Sequence, residues 1–321
     1  MDMPQHAHTA GNDILSALLP ALVLFACAAG YLHLARRAHR RNPALGWSRW
    51  RTASFTLGLV LLAVALLPPV APWAHIDFRG HMAQHLLIGM YAPLALVLGA
   101  PVTLALRAVS TRRGRQFTAL LHSRPARLLA HPAIALLLST GSLAVLYFSP
   151  LHETITSQPA GHWLLHAHFL FSGCLFAYVI AGPDPAPARP GVRTRLVYLG
   201  CAIAAHAAIS QLMYGGYWID IHAPAAQIRG AAEIMYYGGD IAELLLAAAL
   251  VATWRPEHTS GPSRFPRHRG QHRVVPQGVV HHAHRFRAPE RRVDQPGVEH
   301  LQVVEQRRDP LPGPGGRGAG Q

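Results

Sequence analysis

An all-α, polytopic membrane bundle of seven helices is the fold class this sequence predicts, and three observations carry it. Apolar runs of bilayer-crossing length recur along the chain, arginines fall in blocks between alternate runs, and the few ionisable residues within the runs collect toward one side. Half of the 321 residues are hydrophobic and only 14% are charged, yet the formal net charge is +14. A basic excess spread over a soluble surface would point to nucleic acid. Here it is confined between runs of about 20 residues, the length that crosses a hydrocarbon core, so the expected partner is the lipid bilayer and not nucleic acid.

The spans read in order as Ile14 to Ala35, Ala53 to Pro72, Met82 to Leu106, Ala133 to Pro150, Trp163 to Ala181, Leu196 to Gly215 and Ala231 to Trp254. Each must be helical, because lipid offers the backbone no hydrogen-bond partner. Residues 1–13 carry no Arg or Lys, so they lack the basic segment that opens a secretory signal. The first run is therefore expected to stay as an anchor, with residues 1–13 as an extracytoplasmic N-terminus and 14–254 as the membrane domain.

Arg36, Arg37, Arg40, Arg41, Arg49 and Arg51 follow the first span, Arg107 through Arg127 follow the third, and Arg189, Arg193 and Arg195 follow the fifth. The alternate connections carry Arg79, none, and Arg229. Positive charge is retained on the cytoplasmic side, which predicts the N-terminus outside and the C-terminus in the cytoplasm. Cys27, Cys174 and Cys201 lie within apolar runs and form no CxxC pair, so they read as packing residues rather than a disulfide framework. Residues 255–321, rich in Arg, His, Pro and Gly and without periodicity, read as a disordered basic cytoplasmic tail.

The chemistry-bearing stretch is Gly80-His81-Met82-Ala83-Gln84-His85-Leu86-Leu87, at the mouth of the third span. Side chains four apart on a helix stand about 40° apart around its axis, so His81 and His85 can turn toward one metal ion. His162 and His166 repeat that spacing at the start of the fifth span, with His168 two residues on. The same residues, taken singly, would serve as interfacial histidines bonded to water or headgroups. Deeper in, His206 lies near mid-membrane, and Asp240 and Glu243 share a face of the last span. Ionisable groups in a bilayer turn toward the bundle interior and seek partners. Asp240 and Glu243 suit a structural hydrogen-bond pair with a Tyr or His from another span, an ion or proton site, or acceptors for the N–H groups of metal-bound histidines. His75, Asp77, His152, Glu153, Asp220 and His222 add polar groups to the outer connections.

Imidazole and thioether donors facing an oxidising compartment suit copper, with zinc as the other ion such ligands take. The chain has no HExxH, GxSxG or Walker motif, and no nucleophile paired with a base. An enzyme is not expected.

The stretch from Gly80 to Leu87, then Ala92-Pro93 and Gly99-Ala100-Pro101, resembles the CtaG-type cytochrome c oxidase assembly protein family. So do His131-Pro132, the run His162-Trp163-Leu164-Leu165-His166-Ala167-His168-Phe169 with the later Gly182-Pro183-Asp184-Pro185-Ala186-Pro187, and Gly238-Gly239-Asp240 through Glu243 with Trp254. The likeness covers about Ser54 to Trp254. It implies a multi-pass bacterial plasma-membrane factor that helps assemble a haem-copper terminal oxidase, with copper as cargo and an oxidase subunit as partner. The residues it carries over are His81, His85, His162, His166, His168 and Asp240. Two other classes stay open: a haem-binding electron carrier with His85 and His166 as axial ligands, and a proton-coupled transporter using Asp240, Glu243 and His206.

Overall fold

The computed structural model describes residues 5–186 and 189–254, and these form helices joined by turns and irregular loops, with no strand among them. Six helices are long and apolar enough to cross a membrane: Leu18–Arg41, Arg49–Leu66, Phe78–Ala108, Ala160–Ala181, Val192–Gly215 and Ala225–Thr253. The expected fourth span is helical over Pro132–Tyr147 but falls in a shorter class. Its roughly 24 Å of rise is less than a hydrocarbon core of about 30 Å. The expected disordered tail lies outside the described residues.

In chain order the helices are α1 (Gln5–Arg41), α2 (Arg49–Leu66), α3 (Val70–Ile76), α4 (Phe78–Leu86), α5 (Ala92–Leu98), α6 (Pro101–Ala108), α7 (Thr111–Leu121), α8 (Arg124–Leu129), α9 (Pro132–Leu136), α10 (Ser142–Tyr147), α11 (Leu151–Thr156), α12 (Pro159–Ala181), α13 (Val192–Gly215) and α14 (Ala225–Thr253). α1 starts at Gln5, upstream of the run that predicts it. α2 stops before Pro68-Pro69, α12 stops before Gly182-Pro183, and α13 ends on Gly216 at φ 73°. Each is an ordinary helix stop, by proline or by a left-handed glycine.

Two apolar segments, one long and one the shorter Pro132–Tyr147, are interrupted. α4 runs into α5 through a π turn at Leu87–Tyr91, and α9 into α10 through another at Leu137–Gly141. A third break falls at Ala100, whose φ of 53° is unusual for a residue with a Cβ. The break starts α6 afresh and frees its first N–H groups. Asp184, from the loop after α12, accepts from Val102 N at 3.1 Å, Thr103 N at 2.7 Å and Thr103 Oγ1 at 2.5 Å. The Gly-Pro-Asp-Pro stretch is therefore a long-range helix cap. Arg189 closes the same loop by donating to the Asp184 carbonyl at 2.8 Å and the Tyr178 carbonyl at 3.2 Å.

α13 lies along α14, α14 along α4, and α2 along α5, while α12 packs on α5 and the first π turn. The core has two parts. One, nearer the histidines, centres on Met82, Ile88, Tyr147, Phe169, Met213 and Met235. The other, nearer the arginines, centres on Leu94, Phe176, Ile180, Leu199 and Leu250. Phe25, Phe171 and Leu244 point outward, 74%, 72% and 66% exposed, an apolar exterior that suits lipid rather than water.

Candidate functional site

α4 begins at Asp77, whose carboxylate caps it by accepting from Arg79 N at 2.9 Å and pairs with the Arg79 guanidinium at 2.6 Å. Four residues later its two histidines part company. His81 is half-buried, stacks on Phe78 with ring centroids 5.4 Å apart, and lies with Nε2 3.4 Å from the Tyr147 hydroxyl. His85 faces inward, 5% exposed, its ring 4.3 Å from that of Phe169. Histidines from other elements come close instead. His152 on α11 lies 5.1 Å from His81, centroid to centroid, and His75 on α3 lies 5.2 Å from His162 on α12. The expected pairs within one helix are thus replaced by pairs between helices.

His166 Nε2 stands 3.2 Å from Gln84 Oε1. Gln84 donates its amide to the Ala65 carbonyl at 2.8 Å, which leaves Oε1 free to accept. This fixes the proton of His166 on Nε2 and leaves a buried, unpartnered lone pair on Nδ1. His168 turns to α10, with Nε2 3.0 Å from Ser142 Oγ. Asp240 is half-buried and does not line the interior cavity, whereas Glu243, one turn on, does. The six residues singled out from sequence therefore occupy several environments. Among the described residues no group of three or more His, Cys, Asp or Glu side chains already stands close enough to hold an ion.

Sequence reading did not reveal the parts played by Tyr147, Gln84 and Asp184. Tyr147 sits in an ordinary apolar run, and the Asp184 motif signals a turn without saying what it caps. His152, visible only as one of several polar loop residues, is brought against His81 by the short helix α11. Both of its ring nitrogens are buried without partners. Burial, reinforced by the neighbouring His162, lowers the His152 pKa below the ordinary histidine value, while Glu153 opposes the shift. The imidazole is kept neutral, the form that binds metals.

Beside it an ion pair closes the loop before α14. His222 Nδ1 meets Glu153 Oε1, which raises the His222 pKa and lowers that of Glu153. The contribution is complete below the ordinary histidine value while Glu153 stays ionised, and is lost as pH rises through the raised His222 value. Titrating His222 by NMR should show that raised midpoint, and Glu153→Gln should return it to the ordinary range. An unmoved midpoint would rule out the pair in solution.

The interior cavity, about 50 Å³, is walled by His85 from α4, Gly89 and Met90 from the first π turn, Ser139 and Thr140 from the second, Phe169 and Ser172 from α12, His206 from α13 and Glu243 from α14. It is far too small for a porphyrin, and His166 is not part of its wall. His206 and Glu243 are 2% and 3% exposed.

A family model described as cytochrome c oxidase caa3 assembly factor (Caa3_CtaG) matches residues 29–257. The chain is 31% identical over 240 residues to the uncharacterized protein ML1998 of Mycobacterium leprae, covering 68% of this chain and 36% of that one. It is 30% identical over 277 residues to the uncharacterized protein Mb0105 of Mycobacterium bovis, covering 80% and 41%. The chain thus spans about two fifths of the length of the curated relatives it matches. No solved structure matches it. The matched region runs from within α1 past the end of α14 and takes in every histidine described above, and the chain belongs to the Caa3_CtaG family of cytochrome c oxidase caa3 assembly factors.

Proposed function

We propose that this protein is a multi-pass bacterial plasma-membrane assembly factor for a haem-copper cytochrome c oxidase, and that it carries copper as cargo at its histidine-bearing end. It acts by holding and passing an ion to an oxidase subunit, not as an enzyme. The reading includes the shorter Pro132–Tyr147 helix as a seventh span, which puts the N-terminus outside and the C-terminus in the cytoplasm. The arginine blocks at the end of α1 and the start of α2, from the end of α6 through α8, and after α12 support that orientation. So does the concentration of His75, His81, His152 and His162 at the opposite end of the bundle.

One observation carries the copper reading, the cross-element spacing of His81 and His152 at 5.1 Å. Two imidazoles sharing a tetrahedral ion at about 2 Å per nitrogen have ring centroids roughly 5 Å apart. His75 and His162, at 5.2 Å, supply a second pair of the same kind next to the first. Imidazoles from separate helices beside a tyrosine hydroxyl give the nitrogen donors that suit copper.

Competition of the detergent-solubilised protein with bathocuproine disulfonate for Cu(I) tests this. A His81→Ala/His152→Ala variant is expected to hold one ion fewer than the wild type, and an unchanged stoichiometry would remove the site. The same chelator cannot cross membranes. It should strip this ion from protein in intact spheroplasts, and failure to do so would reverse the orientation.

A further inference from the structure

We infer that the interior cavity walled by His85, His206 and Glu243 is a second cation site, taking one transition-metal ion of the borderline or soft class inside the bundle. The inference goes beyond the reading of His81 and His152 and does not depend on it.

The starting observation is a set of unmatched polar atoms. Both ring nitrogens of His85, both of His206 and Oε2 of Glu243 are buried without a hydrogen-bond partner. All three side chains line one cavity. Each such atom left bare in an apolar interior costs on the order of 1–3 kcal/mol, so the fold would not keep five of them around a space it leaves empty. The cavity also lies between the two apolar cores, with Leu143 and Phe169 from one and Leu94 and Phe176 from the other in its wall. It places polar groups between two apolar clusters.

Its chemistry selects the occupant. The wall holds a carboxylate and no Lys or Arg, which favours a cation over an anion. Two imidazoles with the Met90 thioether beside them suit copper or zinc, whereas magnesium and calcium require oxygen donors throughout. The three donors ring the cavity without converging on one point, so binding draws them inward or is completed by water. A volume of about 50 Å³ leaves space for that.

The backbone is adapted to the same end. Both π turns contribute wall residues, Gly89 and Met90 from one and Ser139 and Thr140 from the other. Single π turns inside α-helices occur frequently at functional sites. Gly239, on the α14 face one turn before Glu243, makes room for the His206 ring. A Cβ there would stand 2.0 Å from His206 Cε1.

The test is Cu(I) titration of the full chain in detergent, with Cu-edge absorption spectra of the loaded protein. A His206→Gln/Glu243→Gln variant is expected to bind one ion fewer than the wild type and to lose part of the imidazole scattering. Gly239→Ala keeps every donor but displaces the His206 ring, and should weaken the same ion by roughly tenfold or more. Should the double variant fail to fold, Glu243→Gln alone, which preserves shape, carries the same expectation of weakened binding. In the His81→Ala/His152→Ala background one ion should remain and then disappear when His206 is changed. If folded interior variants bind as the wild type does, the cavity holds only water and the inference is overturned. If only the His81/His152 change has no effect, the proposal for the histidine end fails and this one stands.

Discussion

Replacing Asp184 by alanine is expected to lower stability by about 3 kcal/mol, a large fraction of what holds a typical domain together. The carboxylate is 2% exposed and accepts from two backbone N–H groups and one hydroxyl at the start of α6. Those donors exist because the chain breaks at Ala100, and alanine offers them no acceptor once the carboxylate is gone. The negative charge also lies at the positive end of the α6 dipole, which adds to the loss. Asp184→Asn should cost less, since an amide retains one accepting oxygen but turns N–H groups toward donors. Denaturant unfolding in mixed micelles measures both. A loss under about 1 kcal/mol for Asp184→Ala would show that the cap does not matter.

The second large effect is expected at Gly173. A Cβ built there would lie 2.0 Å from the Gly89 carbonyl oxygen and 2.9 Å from its carbon, so α12 and the first π turn touch backbone to backbone. Gly173→Ala forces the two apart, with a cost of about 2–3 kcal/mol, at the upper end of overpacking penalties because neither wall is a flexible side chain. Gly200 is the internal control. It is exposed on α13, a Cβ there would meet nothing within 4 Å, and alanine should stabilise by up to about 1 kcal/mol. Equal behaviour of the two variants in the same unfolding assay would contradict the close approach. Because Gly89 and Gly173 both line the interior cavity, Gly173→Ala should also disturb it.

The helical architecture was legible because apolar run length and arginine placement are direct consequences of how lipid treats backbone and charge. Six of the seven expected spans recur as long apolar helices. What could not be read was how helices break. Leu87–Tyr91 and Leu137–Gly141 contain nothing that distinguishes a π turn from an α-helix in composition. The break at Ala100 needs a residue that ordinarily avoids positive φ.

Site residues show the same division. His81, His85, His162 and His166 attract notice by their spacing, but spacing reports only which residues share a helical face. The histidine partners of His81 and His162 come from α11 and α3, short helices flanking the long spans, while His85 and His166 meet Phe169 on α12 and Gln84 on α4. His206 and Glu243 were recognisable as ionisable residues inside apolar runs. Their meeting with His85 around one cavity is set by the packing of α4 and α13 against α14, information that lies in tertiary contacts.

The two π turns have a consequence for how this bundle tolerates change in chain length. Each turn takes up about one residue more than a regular helix would, and one residue is worth about 100° of rotation. Shortening the third segment by a single residue at Gly89 would restore a smooth helix while swinging His81 and His85 away from the neighbours they now face. The positions of these imidazoles are thus set by a register offset, and a deletion that leaves every functional side chain present would still dismantle both of the proposed sites.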